Sequence, residues 1–339
     1  MFTKGYTFDD VLLIPKHSTI SSREEVDLSV SLPKGIQLKI PFVSANMATV
    51  TDVKMAETIA ELGGLAILHR FADYGELFTN YDQARAASHG FPGAIGASVG
   101  IKPKDLALIY DLHRIGCKII CVDVAHGDHA RVADFVSAVH TKYPDILLIA
   151  GNVVTAQGAA LLWEAGADII KVGIGSGSLC TTRIETGNGY PQLSALDIVC
   201  NYSDFRPRDD LQWPMFIADG GLKSTGDCVK ALAFAELVMI GNLFAGTDEA
   251  PGENIQFQGK KFKRYAGSST HKQKHVEGVV ALVPYKGSVR DVVLHLVEGI
   301  KSGCSYQGAK NLADLKTDPH FVVISNAGLT ESHPHNVII

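Results

Sequence analysis

No stretch of the 339-residue chain approaches the roughly 18 consecutive apolar residues of a membrane-spanning helix. The opening residues, Met1-Phe2-Thr3-Lys4-Gly5-Tyr6, lack the basic-then-apolar order of a secretory leader. The expectation is therefore a cytoplasmic protein with no membrane partner. Positive charge is not in excess either. The 31 Lys and Arg against 36 Asp and Glu give a formal net charge of −5, which argues against a nucleic-acid partner and leaves room for a local phosphate site. Cysteine is sparse, and its six copies at 117, 121, 180, 200, 228 and 304 are scattered as free thiols rather than grouped as a disulfide framework. Cys117 and Cys121 flank the strand-like Lys118-Ile119-Ile120, as buried small hydrophobes would. No early Gly-x-Gly-x-x-Gly follows the first apolar run, which weakens the case for a doubly wound, dinucleotide-binding sheet.

What the chain does have is a regular series of apolar runs. A hydrophobic fraction of 46% with 20% charged residues describes a globular protein with ample core. Strand-like runs occupy 40–45, 65–68, 94–99, 118–123, 147–152, 168–173, 215–219 and 237–241, and helix-like segments occupy 52–63, 104–115, 129–142, 155–165 and 224–235. Asp52, Thr155 and Ser224 stand where helix N-caps belong. Eight such strands predict an α/β fold of the (β/α)8 TIM-barrel type, a single domain over 1–339, because closing a parallel sheet removes its edges.

The runs end in Asn46, His69, Asp123, Asn152, Gly173, Asp219 and Gly241. In a barrel these ends converge on the C-terminal face, where catalysis takes place. Asp219-Gly220-Gly221 and Gly241-Asn242 follow the last two runs, where barrels hold phosphate on backbone N–H groups; the plainer alternative is a pair of tight turns. Two connections are long. Residues 180–214 include a helix-like segment near 193–201, and residues 246–287 carry a candidate active-site flap at about 254–287. The C-terminal tail contains His333 and His335 with no third metal ligand near them.

The chemistry is expected at Gly173-Ile174-Gly175-Ser176-Gly177-Ser178-Leu179-Cys180-Thr181-Thr182-Arg183. Alternating glycines let backbone N–H groups approach a ligand closely, and the loop then delivers one cysteine just past a strand end.

That loop, followed by Thr186-Gly187-x-Gly189-x-Pro191-Gln192, resembles the signature of the IMP dehydrogenase and GMP reductase family. Phe8-Asp9-Asp10-Val11-Leu12-Leu13, Ser44-Ala45-Asn46-Met47, Ala218-Asp219-Gly220-Gly221 and the Glu331-Ser332-His333-Pro334-His335 tail extend the resemblance over most of the chain. The resemblance implies a purine nucleotide attacked at C2 by Cys180, with Thr182 in the proton relay. It assigns Ser178, Gly221, Gly241, Asn242 and Tyr265 to the phosphate, Asp219 to the ribose, Met47 to the base, and Gly267 to the substrate side of the flap. Asp123 and Asn152 would face the nicotinamide of NAD or NADP. A potassium ion would be held by carbonyls of Gly175, Gly177 and Cys180, completed by Glu331, Ser332 and His333 of a neighbouring subunit in a homotetramer. The family's usual proline between Gly175 and Gly177 is Ser176 here.

The motifs divide between the two branches. Ala245 to Glu253, Val276-Glu277-Gly278 and the tail resemble the dehydrogenases, whereas Tyr190-Pro191-Gln192-Leu193-Ser194 and Asp123 to Gly127 resemble the reductases. No regulatory module interrupts residues 71–92. The dehydrogenases' Arg-Tyr pair is missing from Ser268-Ser269-Thr270-His271-Lys272-Gln273-Lys274-His275, and Thr270 stands where reductases carry a glutamate. His271 or His275 is a candidate substitute base, titrating near neutrality; solvated loop histidines are the alternative. The balance favours the dehydrogenase, with the reductase next and a degenerate nucleotide-binding homologue third. A flavin-phosphate barrel would use the same two glycine turns.

Overall fold

The computed structural model describes residues 3–91, 93–208, 213–267 and 278–334. Its centre is a closed barrel of eight parallel strands in sequential order. These are β1 (Phe42–Ser44), β2 (Leu65–Leu68), β3 (Ala94–Val99), β4 (Ile119–Asp123), β5 (Leu147–Val153), β6 (Ile169–Val172), β7 (Met215–Asp219) and β8 (Leu237–Ile240). Closure is made by β8 against β1, with Val238 opposite Phe42 and Ile240 opposite Ser44. The strands read as continuous apolar runs because both faces are covered, the inner by facing strands and the outer by helices. All four residues of β2, β6 and β8 are buried.

A helix follows each strand: α1 (Val53–Glu61), α2 (Tyr74–Ala87), α3 (Pro103–Arg114), α4 (Ala130–Lys142), α5 (Ala156–Glu164), α6 (Gln192–Cys200), α7 (Thr225–Leu232) and α8 (Val289–Tyr306). Thr155 and Ser224 cap α5 and α7 as expected, accepting from Gly158 N and Asp227 N. Asp52 precedes α1 but makes no side-chain cap bond, so that expectation fails at the level of the hydrogen bond.

Two helices escape the sequence reading for different reasons. α2 buries only Leu77, Tyr81 and Ala84, too few for a clear helical stripe. α8, by contrast, repeats buried Val289, Val293, Leu296, Ile300 and Cys304 at helical spacing, a signal present in the sequence that the reading did not take up. Its start is anchored by Glu249, whose carboxylate accepts from Ser288 Oγ at 2.9 Å and Val289 N at 2.7 Å.

The described residues of the segment expected as a flap are mostly strand. Asn254–Phe257, Lys260–Ala266 and Val280–Pro284 form three antiparallel strands. A second pairing, Val11–Leu13 with Phe321–Val323, ties the N-terminal segment to the C-terminal one. No helix among the described residues is long and apolar enough to cross a membrane.

Candidate active site

The loop after β6 is shaped by its glycines. Gly173 has φ +147°, and a Cβ there would lie 1.9 Å from the Asp219 carbonyl oxygen, so only glycine lets the ends of β6 and β7 approach this closely. The loop is then tethered by side chains. Ser176 Oγ donates to Gln192 Oε1 at 2.8 Å, and Gln192 Nε2 donates to the Val172 carbonyl at 2.8 Å. At its far end Cys180 N donates to Gly177 O at 3.1 Å. Leu179 O accepts from Val279 N at 3.1 Å, and Val279 O accepts from Gly267 N at 3.1 Å. The cysteine loop is thereby stitched to the ends of the antiparallel sheet.

Cys180 Sγ donates to Thr182 Oγ1 at 3.1 Å, so the thiol has a hydroxyl within proton-transfer distance. Cys117, Cys121, Cys228 and Cys304 are buried. Burial pushes the Cys121 thiol up to about 12 and that of Cys117 up to about 11, which keeps them protonated and unreactive. Cys180 borders a cavity of about 390 Å³ at the C-terminal ends of the strands, a volume typical of small-ligand sites.

The same cavity is lined by an ionic network. Lys171 Nζ, on β6, is 2.9 Å from Asp123 Oδ1 and 3.0 Å from Asp219 Oδ2. Asn152 Nδ2 donates to the same Asp219 Oδ2 at 2.8 Å and to the Gly173 carbonyl at 2.7 Å. Arg70 Nε stands 3.4 Å from Asp123 Oδ2. Burial alone would raise the Asp123 carboxyl, but the charges of Lys171 and Arg70 outweigh it and hold the group below the ordinary carboxylate range. Burial would likewise favour neutral Lys171, and here the two carboxylates overcome it and push its pKa up. Tyr265, raised by burial and then by Asp219, is a neutral phenol. Its hydroxyl lies 3.8 Å from Met47 Sδ.

The sequence model of the IMP dehydrogenase / GMP reductase domain matches residues 5–335. The chain belongs to that family. Membership makes it a nicotinamide-dependent oxidoreductase. Among its relatives, the inosine-5′-monophosphate dehydrogenase of Borreliella burgdorferi is 38% identical, covering 98% of this chain and 97% of the relative. The protein of the same name from Nitrosopumilus maritimus is 32% identical, covering 100% and 99%. Its 479 aligned positions exceed the 339 residues here, so that relative holds residues with no counterpart in this chain. A third, from Chlorobaculum parvum, is 42% identical over 72% of this chain and 53% of the relative.

Most of the residues expected from the family resemblance come together. Met47, Asp123, Asn152, Gly175, Gly177, Ser178, Cys180, Thr182, Asp219, Tyr265 and Gly267 all line the cavity. Three expected phosphate ligands are not among the lining residues but adjoin them. A Cβ on Gly241 would come within 3.0 Å of Tyr265 Oη, and one on Gly221 would meet Gln192 and Phe8. Asn242 offers its carbonyl to Lys286 Nζ. His69 lies outside the lining, and burial lowers its pKa. Glu331, Ser332 and His333 sit at the end of the short helix Asn326–Glu331, away from this cavity in their own chain. Thr270, His271, Lys274, His275 and His335 lie outside the described residues.

Sequence reading missed Lys171 and Arg70. Lys171 interrupts an otherwise apolar run, Ile169-Ile170-Lys171-Val172, and that break in the pattern was the available signal. Arg70 follows His69 at a strand end and carried no signal of its own.

Proposed function

We propose that the protein is an IMP dehydrogenase, converting IMP, NAD⁺ and water to XMP and NADH. The observation that carries the reading is that Cys180, hydrogen-bonded to Thr182, lines the same nucleotide-sized cavity as Asp219 and Asp123. The relatives that bear this name support it. In this reading the Cys180 thiolate adds to C2 of the hypoxanthine ring, its proton passing toward Thr182. NAD⁺ supplies the acceptor for the hydride released from C2. Water then attacks C2, the C–S bond breaks, and XMP leaves with the thiolate restored.

The other assignments follow from the same pose. Ser178 and the turns at Gly221, Gly241 and Asn242 face the phosphate with Tyr265, Asp219 takes the ribose hydroxyls, and Met47 packs against the base. Gly267 contacts the substrate. Asp123 and the Asn152 carbonyl face the nicotinamide, since both Asn152 amide hydrogens are already committed. The site suits a monovalent cation: the loop offers the neutral carbonyl oxygens of Gly175, Gly177 and Cys180, and the described residues hold no cluster of acidic or His/Cys ligands. Potassium would be held there, with Glu331, Ser332 and His333 of the next subunit of a homotetramer. The protein is assigned to the cytoplasm as a single-domain catalytic barrel without a regulatory module.

The test is nicotinamide absorbance with K⁺ present, using IMP plus NAD⁺ in one mixture and GMP plus NADPH in the other. A rise in the first supports the dehydrogenase. A fall in the second replaces it with a GMP reductase, the branch that Tyr190-Pro191-Gln192-Leu193-Ser194 resembles. Nucleotide binding with silence in both leaves a degenerate homologue.

A further inference from the structure

Lys171 rises from the middle of an apolar strand with its side chain only 2% exposed, yet its ammonium bonds to two carboxylates that border the cavity. It and Asn152 both bond to Oδ2 of Asp219, and among the described residues none donates to Oδ1. We infer that Lys171 is a positioning residue: gripping Oδ2 together with Asn152, it turns Oδ1 of Asp219 toward the ribose hydroxyls of the bound nucleotide. The inference rests on the nucleotide reading above and assigns a role to a side chain that the family resemblance left unassigned.

Three physical points support it. Asp123 and Asp219 both lie within hydrogen-bonding distance of one nitrogen, so without the cation two acidic groups would face each other in an enclosed space and repel. With Arg70 beside Asp123, the cluster balances two carboxylates against two cations and needs no counter-ion from the ligand. A carboxylate pinned at one oxygen also loses little rotamer freedom on binding a hydroxyl with the other, which is how preorganisation strengthens recognition. A lysine suits the position better than arginine, because a compact ammonium on a flexible stem fits between two carboxylates where a planar fork does not.

The test compares the affinity of IMP with that of 2′,3′-dideoxy-IMP, by calorimetry, for the wild-type protein, Lys171→Met and Lys171→Arg. The wild type should prefer IMP by about 10- to 100-fold, the range for a hydrogen bond to a charged group. In Lys171→Met the preference should collapse to within about twofold, and Lys171→Arg should restore part of it. Loss of overall affinity with the wild-type preference retained would mean a purely structural lysine and overturn the inference. If Lys171→Met does not fold, the charge-balanced Asp123→Asn/Lys171→Met double variant gives the same reading: loss of the preference supports the role and retention overturns it. GMP with its dideoxy analogue serves equally if GMP is the nucleotide bound. A wild-type protein that binds neither nucleotide refutes the nucleotide reading and the ribose role together, and is distinguished by appearing before any substitution.

Discussion

Strand β6 carries a buried charge cluster at each end, and the two are built differently. At its foot, Asp168 is wholly buried, accepts from Leu148 N at 2.8 Å and pairs with Arg208 at 2.9 Å. The Arg208 guanidinium lies 4.1 Å from the centre of the Trp163 ring. At the other end, Lys171 holds Asp123 and Asp219 beside an open cavity. The lower carboxylate serves a strand backbone and a stacked arginine, whereas the upper ones keep an edge toward a space a ligand can fill. The carboxyls respond in opposite directions: burial dominates at Asp168 and raises its pKa, while two nearby cations lower that of Asp123. Burial of charge alone therefore does not mark a functional site. Burial beside unfilled volume does.

Breaking the upper region should cost chemistry rather than stability. Cys180→Ala is expected to reduce turnover by roughly 10⁴-fold or more, with the unfolding midpoint nearly unchanged because the side chain is only partly buried. Full activity in that variant would remove the covalent mechanism. The reverse pattern is expected below. Asp168→Ala removes the carboxylate paired with Arg208 and the acceptor of the Leu148 amide, and should cost about 3–5 kcal/mol in denaturant unfolding, while the folded fraction still binds nucleotide.

Acidification sharpens the same contrast. Asp123, held below 3.8 in the folded state, stabilises above its unfolded pKa and loses that contribution as pH falls through the folded value. The stability gap between wild type and Asp123→Asn should therefore narrow below about pH 4. Asp168, raised above 3.8, opposes folding when charged and is relieved on protonation, so the gap between wild type and Asp168→Asn should widen over the same descent. Parallel trends in urea titrations at several pH values would remove the distinction between the clusters. The smallest effect is expected at Ser176→Ala, which deletes one hydrogen bond to Gln192 and should cost about 1 kcal/mol. It should also speed proteolysis within the cysteine loop while leaving the lower cluster untouched.

Much of this fold was legible because barrel strands are apolar on both faces and announce themselves without partners. α2 was not, since its shallow packing leaves little periodicity, and the antiparallel sheet at 254–284 was hidden in a polar stretch whose strands are largely exposed. The cysteine loop was legible for a local reason: its glycines and thiol lie together within eleven residues.

What the sequence by itself determined is therefore the barrel and the glycine-rich cysteine loop, both products of short-range pattern. The tertiary structure alone decided the partners of Lys171. Asp123 and Asp219 each lie 48 residues from it, on β4 and β7, and the parallel side-by-side order of β4, β5, β6 and β7 brings all three side chains to one end. A lysine in an apolar strand is read as an anomaly until the carboxylates that neutralise it are found, and sequence distance carries no record of which strands lie side by side in the sheet.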